Sequence, residues 1–100
     1  MKATCFFAVA ASEEMAFVSL PVHLDCGPGS GVNVDWRYES VDHARRRIAV
    51  NGSIQGSDGR FSLDSKGLII NEVKTSDAGT YMCVKDRSVY QEIRLHVSRE

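Results

Sequence analysis

The segment 77–83, Asp-Ala-Gly-Thr-Tyr-Met-Cys, constrains the fold of this chain more than any other stretch. It leads into an alternating apolar run that contains Cys83, and an earlier run of the same kind ends at Cys26. Trp36 lies in the next run after Cys26, where a central strand would turn its indole into a core. Alternation with a period of two is typical of strands that bury one face. The pattern therefore predicts strands that are distant in sequence but share one core.

The residues just before Cys83 fit a loop that enters a buried strand. Tyr81 is placed to turn its ring into the core and its hydroxyl back onto that loop. Gly79 allows the tight backbone that precedes the strand. Asp77 offers a carboxylate that caps the loop and pairs with a cation, for which Arg60 is the candidate. The residues expected to have structural roles are Trp36, Arg60, Asp77 and Tyr81.

Taken together, these residues resemble the immunoglobulin superfamily, and the stretch 60–62, Arg-Phe-Ser, resembles its V-set. The resemblance implies a disulfide between Cys26 and Cys83. It also implies an all-β, two-sheet antiparallel sandwich, with residues 1–100 forming one V-like domain. The two cysteines are close in sequence for a full V domain, so we expect strand C″ to be short or missing. The residues that carry the resemblance are Cys26, Trp36, Leu68, Asp77, Gly79, Tyr81 and Cys83.

The alternation also places the individual strands, lettered here in immunoglobulin order. They cover residues 3–11 (A), 20–26 (B), 32–39 (C), 45–50 (C′), 60–63 (D), 68–71 (E), 80–85 (F) and 88–97 (G). Residues 12–14, Ser-Glu-Glu, are expected to form a turn after strand A. Asn51 and Gly52 predict a tight hairpin turn after strand C′, because both residues accept positive φ.

Composition argues against several functional classes. Lys and Arg number 12 against 13 Asp and Glu, for a net charge of -1, so the chain lacks the basic footprint of a nucleic-acid binder. No apolar run approaches the ~20 residues of a membrane span. His23, His43 and His96 lie in separate predicted elements without metal-ligand spacing, and no Gly-x-Ser-x-Gly motif occurs. We therefore expect no enzyme, no metal and no cofactor.

A binding function is better supported than catalysis. On the sheet made by strands G, F, C and C′, the period of two points one set of side chains outward. Met82, Val84 and Tyr90 would form an apolar patch bordered by arginines, a composition typical of protein interfaces. The alternative is that isolated apolar residues on a surface have no role. The predicted ligand-binding face comprises Arg37, Arg47, Met82, Val84, Tyr90 and Arg94.

The resemblance implies an extracellular recognition module of a cell-surface immune-type receptor or co-receptor, which binds a protein ligand on another cell through this face. Two features argue against an antigen-receptor variable domain: residues 89–92 lack the Phe/Trp-Gly-x-Gly bulge, and the connection at 86–88 is short. A homophilic or heterophilic adhesion domain is the alternative, with the same chain as one partner. A spacer that binds nothing is the third. We expect the full-length protein to be anchored in a membrane outside this segment.

Four local features keep two interpretations each. Asn51 begins an N-glycosylation sequon, which is either used or left bare. The arginines at 45–47 are a solvated turn or a cationic rim that selects an acidic partner. Cys5 is a buried free thiol or forms an intermolecular bridge. Residues 3–11 are expected as strand A, although residues 8–10, Ala-Val-Ala, also resemble a signal-peptide cleavage site.

Overall fold

The computed structural model describes residues 10–27, 34–56, 59–85 and 87–99. Within these ranges the chain forms strands and one short 3-10 helix, Thr75–Asp77. The strands are β1 (Ala10–Phe17), β2 (Val22–Asp25), β3 (Asp35–Ser40), β4 (Arg45–Val50), β5 (Ser53–Ile54), β6 (Phe61–Leu63), β7 (Gly67–Ile70), β8 (Gly79–Lys85) and β9 (Ser88–Ser98).

The strands form two sheets. The larger sheet has the order β1-β9-β8-β3-β4-β5, and the smaller has the order β2-β7-β6. Strand β1 runs parallel to β9, and the other strand pairs in the described residues are antiparallel. An all-β fold of two sheets is thus confirmed, and it is consistent with a β-sandwich.

A disulfide joins the two sheets through the core. Cys26, one residue beyond β2 in the smaller sheet, is bonded to Cys83 of β8 in the larger sheet, with their Cα atoms 5.8 Å apart. Trp36 of β3 lies directly opposite Cys83 in the strand register. All three side chains are fully buried. The disulfide implied by the resemblance is confirmed, and so is the inward position of the indole.

Two tyrosines fix the loop that leads into β8. The Tyr81 hydroxyl donates to the Asp77 carbonyl at 2.7 Å, and the Tyr38 hydroxyl donates to the Ala78 carbonyl at 2.6 Å. Their ring centroids lie 4.8 Å apart. Gly79 has a φ of +146°, and a Cβ at this position would stand 2.5 Å from the Glu39 carbonyl oxygen. The close approach of β3 therefore requires glycine at position 79.

The Tyr81 corner predicts a loss of stability at alkaline pH. Burial, reinforced by the nearby Asp77 carboxylate, raises the pKa of the Tyr81 hydroxyl above its ordinary value of 10.0. The unfolded chain therefore loses this proton first. The stabilisation is complete below pH 10.0 and is lost as the pH rises beyond it.

Thermal unfolding followed by circular dichroism between about pH 8 and pH 12 would measure this loss. In Tyr81→Phe we expect a shallower decline above pH 10.0, together with about 1 kcal/mol lower stability at neutral pH from the lost hydrogen bond. An equally steep decline in wild type and Tyr81→Phe would contradict the assignment.

The N-terminal part differs from the sequence prediction. Residues 12–14, expected as a turn, lie within β1, which pairs with β9 from Ala10 to Phe17. Polar and charged side chains suit this position because β1 is the edge strand of its sheet and Glu13 and Glu14 are exposed. Leu20, the first residue of the predicted strand B, precedes β2 and is 55% exposed. Residues 1–9, with Cys5, most of the predicted strand A and the start of the cleavage-like motif, lie outside the described residues.

The hairpin expected at Asn51 and Gly52 is present. It joins β4 to β5, and the two residues have φ values of 51° and 82°. Positive φ at both central positions is the signature of the tight turn that matches strand twist. Strand β5, which follows this hairpin, is only two residues long.

Candidate functional site: the outer face of the six-stranded sheet

The outer face of the larger sheet carries two rows of directly opposed side chains. In the first row, Arg37 of β3 stands between Arg47 of β4 and Met82 of β8, and Met82 in turn stands opposite Glu92 of β9. Side chains that are opposed across a sheet point to the same side. The side chains that alternate with this row include Trp36, Tyr81, Cys83 and Ile93, which are buried, so the row faces outward. Three of the predicted face residues, Arg37, Arg47 and Met82, therefore lie side by side in this row.

The second row lies two residues away along each strand. It runs from β4 to β1 through Arg45, Glu39, Thr80, Arg94 and Glu13. Arg94 is exposed and joins the same surface as Met82. We refer to the two rows together as the charged face.

Charge is distributed unevenly over the charged face. Arg37 and Arg47 are exposed and directly opposed, and neither has an ion-pair partner among the described residues. Like charges placed directly opposite each other are destabilising. On the other side of Met82, the carboxylates of Glu92 and Glu13 lie on β9 and β1. The face is therefore cationic toward β4 and more acidic toward β1.

Glu39 is the carboxylate within the cationic half. It accepts from His43 Nδ1 at 2.9 Å and lies 3.5 Å from Arg45 Nε. The hydrogen bond from His43, helped by Arg45, lowers the pKa of Glu39 below its ordinary value. Glu39 therefore stays ionised and offsets part of the arginine charge.

Three open recesses lie along the outer face of the larger sheet. One, of about 620 Å³, is lined by Met82 and Thr80 of β8 together with side chains of β3 and β9. The one toward β4 has a volume of about 490 Å³ and is lined by Tyr38, Glu39, Met82 and four arginines at 37, 45, 46 and 47. The one toward β1 is smaller, about 240 Å³, and is lined by Ala11, Ser12, Glu13, Glu92 and Arg94. The arrangement favours contact with a surface that is itself charged.

The three arginines at 45–47 do not act as one unit. Arg45 and Arg47 belong to the charged face. The Arg46 guanidinium stacks over the Phe61 ring at 5.6 Å, toward the smaller sheet. Two of the three arginines therefore belong to the charged face, while Arg46 contacts Phe61 and also lines the recess toward β4.

The prediction for Val84 is wrong, and Tyr90 lies in a different setting from the one expected. Val84 is only 5% exposed. The register shifts between Cys83 and Val84, so that Val84 opposes Val89 while Cys83 opposes Gln91. Tyr90 is the additional residue on β9 at this irregularity, which breaks the simple alternation on which the prediction depended.

Tyr90 is exposed but turns toward the end of the sandwich. A Cβ on Gly27 would stand 3.4 Å from Tyr90 Cε2, and Lys85 Nζ lies 5.7 Å from its ring centroid. It lines none of the three recesses described above. Of the predicted ligand-binding residues, the structure places Arg37, Arg47, Met82 and Arg94 together, and their role in binding stays a prediction.

Sequence reasoning left two acidic members out of the site. Glu92 alternates with the buried Ile93 along β9, and this alternation was the signal that could have included it. Glu13 was assigned to a turn, and its place opposite Arg94 depends on the parallel pairing of β1 with β9. No local pattern in the sequence indicates that pairing.

Asn51 lies outside the charged face, at the exposed turn between β4 and β5. Its backbone N–H donates to Asp35 Oδ1 at 2.6 Å. Glycosylation of Asn51 stays a prediction.

The described part of the chain contains no cluster of three or more His, Cys, Asp or Glu side chains suited to a metal ion. In the same ranges, no helix has the length and apolar character needed to cross a membrane.

The sequence matches no known protein family, and no curated protein matches it either. Among solved structures, the chain is similar to part of Drosophila Semaphorin 2a, with a TM-score of 0.73 at 21% sequence identity. The match covers 92% of this chain and 15% of that chain, so this chain spans a small fraction of the length of its structural neighbour. Similarity at this level of identity shows a shared fold.

Proposed function

We propose that this chain is a V-like immunoglobulin domain that serves as an extracellular recognition module and binds a protein ligand through the charged face. The strand order supports the V-like assignment. Strands β2, β7 and β6 correspond to B, E and D, and the order β9-β8-β3-β4-β5 corresponds to G, F, C, C′ and C″ of a variable-type domain. The disulfide supports an oxidising, extracellular setting.

The observation that carries the proposal is the opposed pair of Arg37 and Arg47 beside Met82. Arginine and methionine are enriched at protein interfaces. A cationic surface also speeds the encounter with an acidic partner and disfavours wrong partners. An arginine pair that is repulsive within the domain gains a favourable partner when carboxylates dock against it.

The module belongs, in this proposal, to a cell-surface receptor or co-receptor of the immune type, anchored in the membrane by another part of the protein. We infer no enzymatic activity and no cofactor. Homophilic adhesion is the second candidate, and one observation favours it: the same face carries carboxylates as well as arginines, so a copy of the chain could complement it.

Met82 provides the test of the binding face. Met82→Glu places a carboxylate at the centre of the face, half-buried between Arg37 and Glu92. We expect at least tenfold weaker binding to any protein ligand, with the unfolding temperature changed by only a few degrees. The measurement is binding of the multimerised domain to a panel of cell-surface ectodomains that includes the domain itself.

Ile69→Glu is the matched control. Ile69 is also a half-buried apolar residue on a strand, but it lies on β7 of the other sheet. We expect Ile69→Glu to bind like wild type. Ligand binding that is unaffected by Met82→Glu but lost in Ile69→Glu would move the binding surface to the smaller sheet.

A further inference from the structure

The charges on the charged face follow an order that is visible only in the strand register. From β4 to β1, the first row reads Arg47, Arg37, Met82, Glu92 and Ala11. In the same direction, the second row reads Arg45, Glu39, Thr80, Arg94 and Glu13. In both rows an uncharged residue of β8 occupies the centre, and residues equally far from it on either side tend to have opposite charge.

We propose that the ligand of the charged face is a second copy of this chain, docked face to face about a two-fold axis that runs along β8. The inference rests on the proposed function and names its partner. A half-turn about such an axis leaves each row at the same position along the strands. It sets the β4 side of a row against the β1 side of the same row in the partner. Strand β3 then faces β9 of the partner, β4 faces β1, and β8 faces β8.

This operation pairs every charged residue of the two rows except Arg47 with an opposite charge. Arg37 meets the partner's Glu92 in the first row. In the second row Arg45 meets the partner's Glu13. Glu39 meets the partner's Arg94 at the same level, and symmetry repeats each of these contacts. Arg47 meets the partner's Ala11, so no like charges are opposed.

The uncharged side chains at the centre of the charged face, and the apolar side chains at one end of it, are also consistent with an axis along β8. Met82 meets the partner's Met82 and Thr80 meets the partner's Thr80, so no buried charge lies on the axis. Val41 and Met15 are 78% and 56% exposed. Val41 follows β3, and Met15 lies at the same end of the face on β1, level with His96. The axis along β8 brings these two apolar side chains toward each other across the interface.

The other simple arrangement fits less well. A two-fold axis across the strands would set each strand against its own copy. Arg37 would then meet the partner's Glu39, but Arg45 would meet the partner's Arg47. Opposed like charges disfavour that arrangement, and recognition by charge acts largely through such penalties. The axis along β8 avoids them.

The test uses reversed charges in a Cys5→Ser background, so that no intermolecular disulfide contributes. Sedimentation velocity over a concentration series would be run on the parent, on Arg37→Glu, on Glu92→Arg and on an equimolar mixture of the two variants. We expect the parent to dimerise and each variant alone to dimerise at least tenfold more weakly, because each opposes two pairs of like charges. The mixture should recover dimerisation as a heterodimer, because both of its contacts join opposite charges.

Thermal unfolding of each variant controls for folding. Arg37 is exposed and Glu92 is half-buried, and neither has an ion-pair partner within the described ranges, so both variants should unfold within a few degrees of the parent. A mixture of Arg37→Glu with Glu39→Arg gives the second control. If dimerisation recovers in this mixture but not in the mixture of Arg37→Glu with Glu92→Arg, the two-fold axis runs across the strands. That result would overturn the proposal.

Two other outcomes overturn it. A parent that stays monomeric at all concentrations excludes the second copy as ligand. Dimerisation that is unchanged in Arg37→Glu and Glu92→Arg places the contact on another surface. In either case the proposed function is judged separately, because binding of a different ectodomain that depends on Met82 would still support it.

Discussion

Removal of the Cys26–Cys83 disulfide is expected to lower the unfolding temperature by well over ten degrees. The bond closes a loop with a sequence separation of 57 residues. In the chain-entropy model, a loop of this length stabilises the folded state by roughly 4 kcal/mol. Each kcal/mol corresponds to about 4–8 °C for a domain of this size. Because both cysteines are fully buried beside Trp36, their replacement also loosens the centre of the core.

The measurement is thermal unfolding of the double variant Cys26→Ala/Cys83→Ala, followed by circular dichroism. Cys5→Ser is the control, and we expect it to leave most of the stability intact because it removes no bond between the sheets. A shift below about 5 °C in the double variant would mean that packing alone holds the two sheets together. Loss of folding at room temperature would agree with the prediction, since roughly 4 kcal/mol is a large part of the stability of a small domain.

The parts of the fold that were predictable have strong local or chemical signatures. The hairpin at Asn51 and Gly52 follows from their tolerance of positive φ, and the structure shows positive φ at both. Tyr81 and Cys83 are fixed in relation to each other because they are two residues apart on one strand, and both are buried. Alternation then predicts Arg37 and Met82 on one surface, where the register brings them side by side.

The parts that were not predictable depend on pairing between distant segments. Residues 12–14 resemble a turn by composition, and only the contact with β9 makes them part of a strand. The irregularity at Cys83 and Val84 shifts the register by one residue, and nothing in the alternating pattern indicates it. A shift of this size changes which side chains are exposed. The shift leaves Val84 buried, so it is not part of the candidate site. The parallel pairing of β1 with β9 places Glu13 in that site, opposite Arg94.

Breaking the ion pair between Arg60 and Asp77 is expected to destabilise the domain nearly as much as removing the disulfide. The two side chains form a bidentate contact, with Nη1–Oδ2 at 2.8 Å and Nη2–Oδ1 at 3.0 Å. They are only 17% and 5% exposed. Asp77 Oδ2 also accepts the backbone N–H of Lys74 at 2.8 Å. Arg60 precedes β6 of the smaller sheet and Asp77 precedes β8 of the larger, so the pair joins the two sheets at the corner next to Tyr81.

We expect Asp77→Ala to cost about 3–5 kcal/mol, because it leaves the Arg60 guanidinium and the Lys74 N–H without their carboxylate. Chemical denaturation of Arg60→Met, Asp77→Ala and the double variant would measure the coupling. The double variant should be less destabilised than the sum of the single variants by about 0.5–3 kcal/mol, because removing both charges leaves neither one buried without its counter-charge. Strict additivity would mean that the two residues stabilise the corner separately. Arg60→Lys separates charge from geometry: it keeps the cation but loses the two-pronged contact, so an intermediate loss is expected.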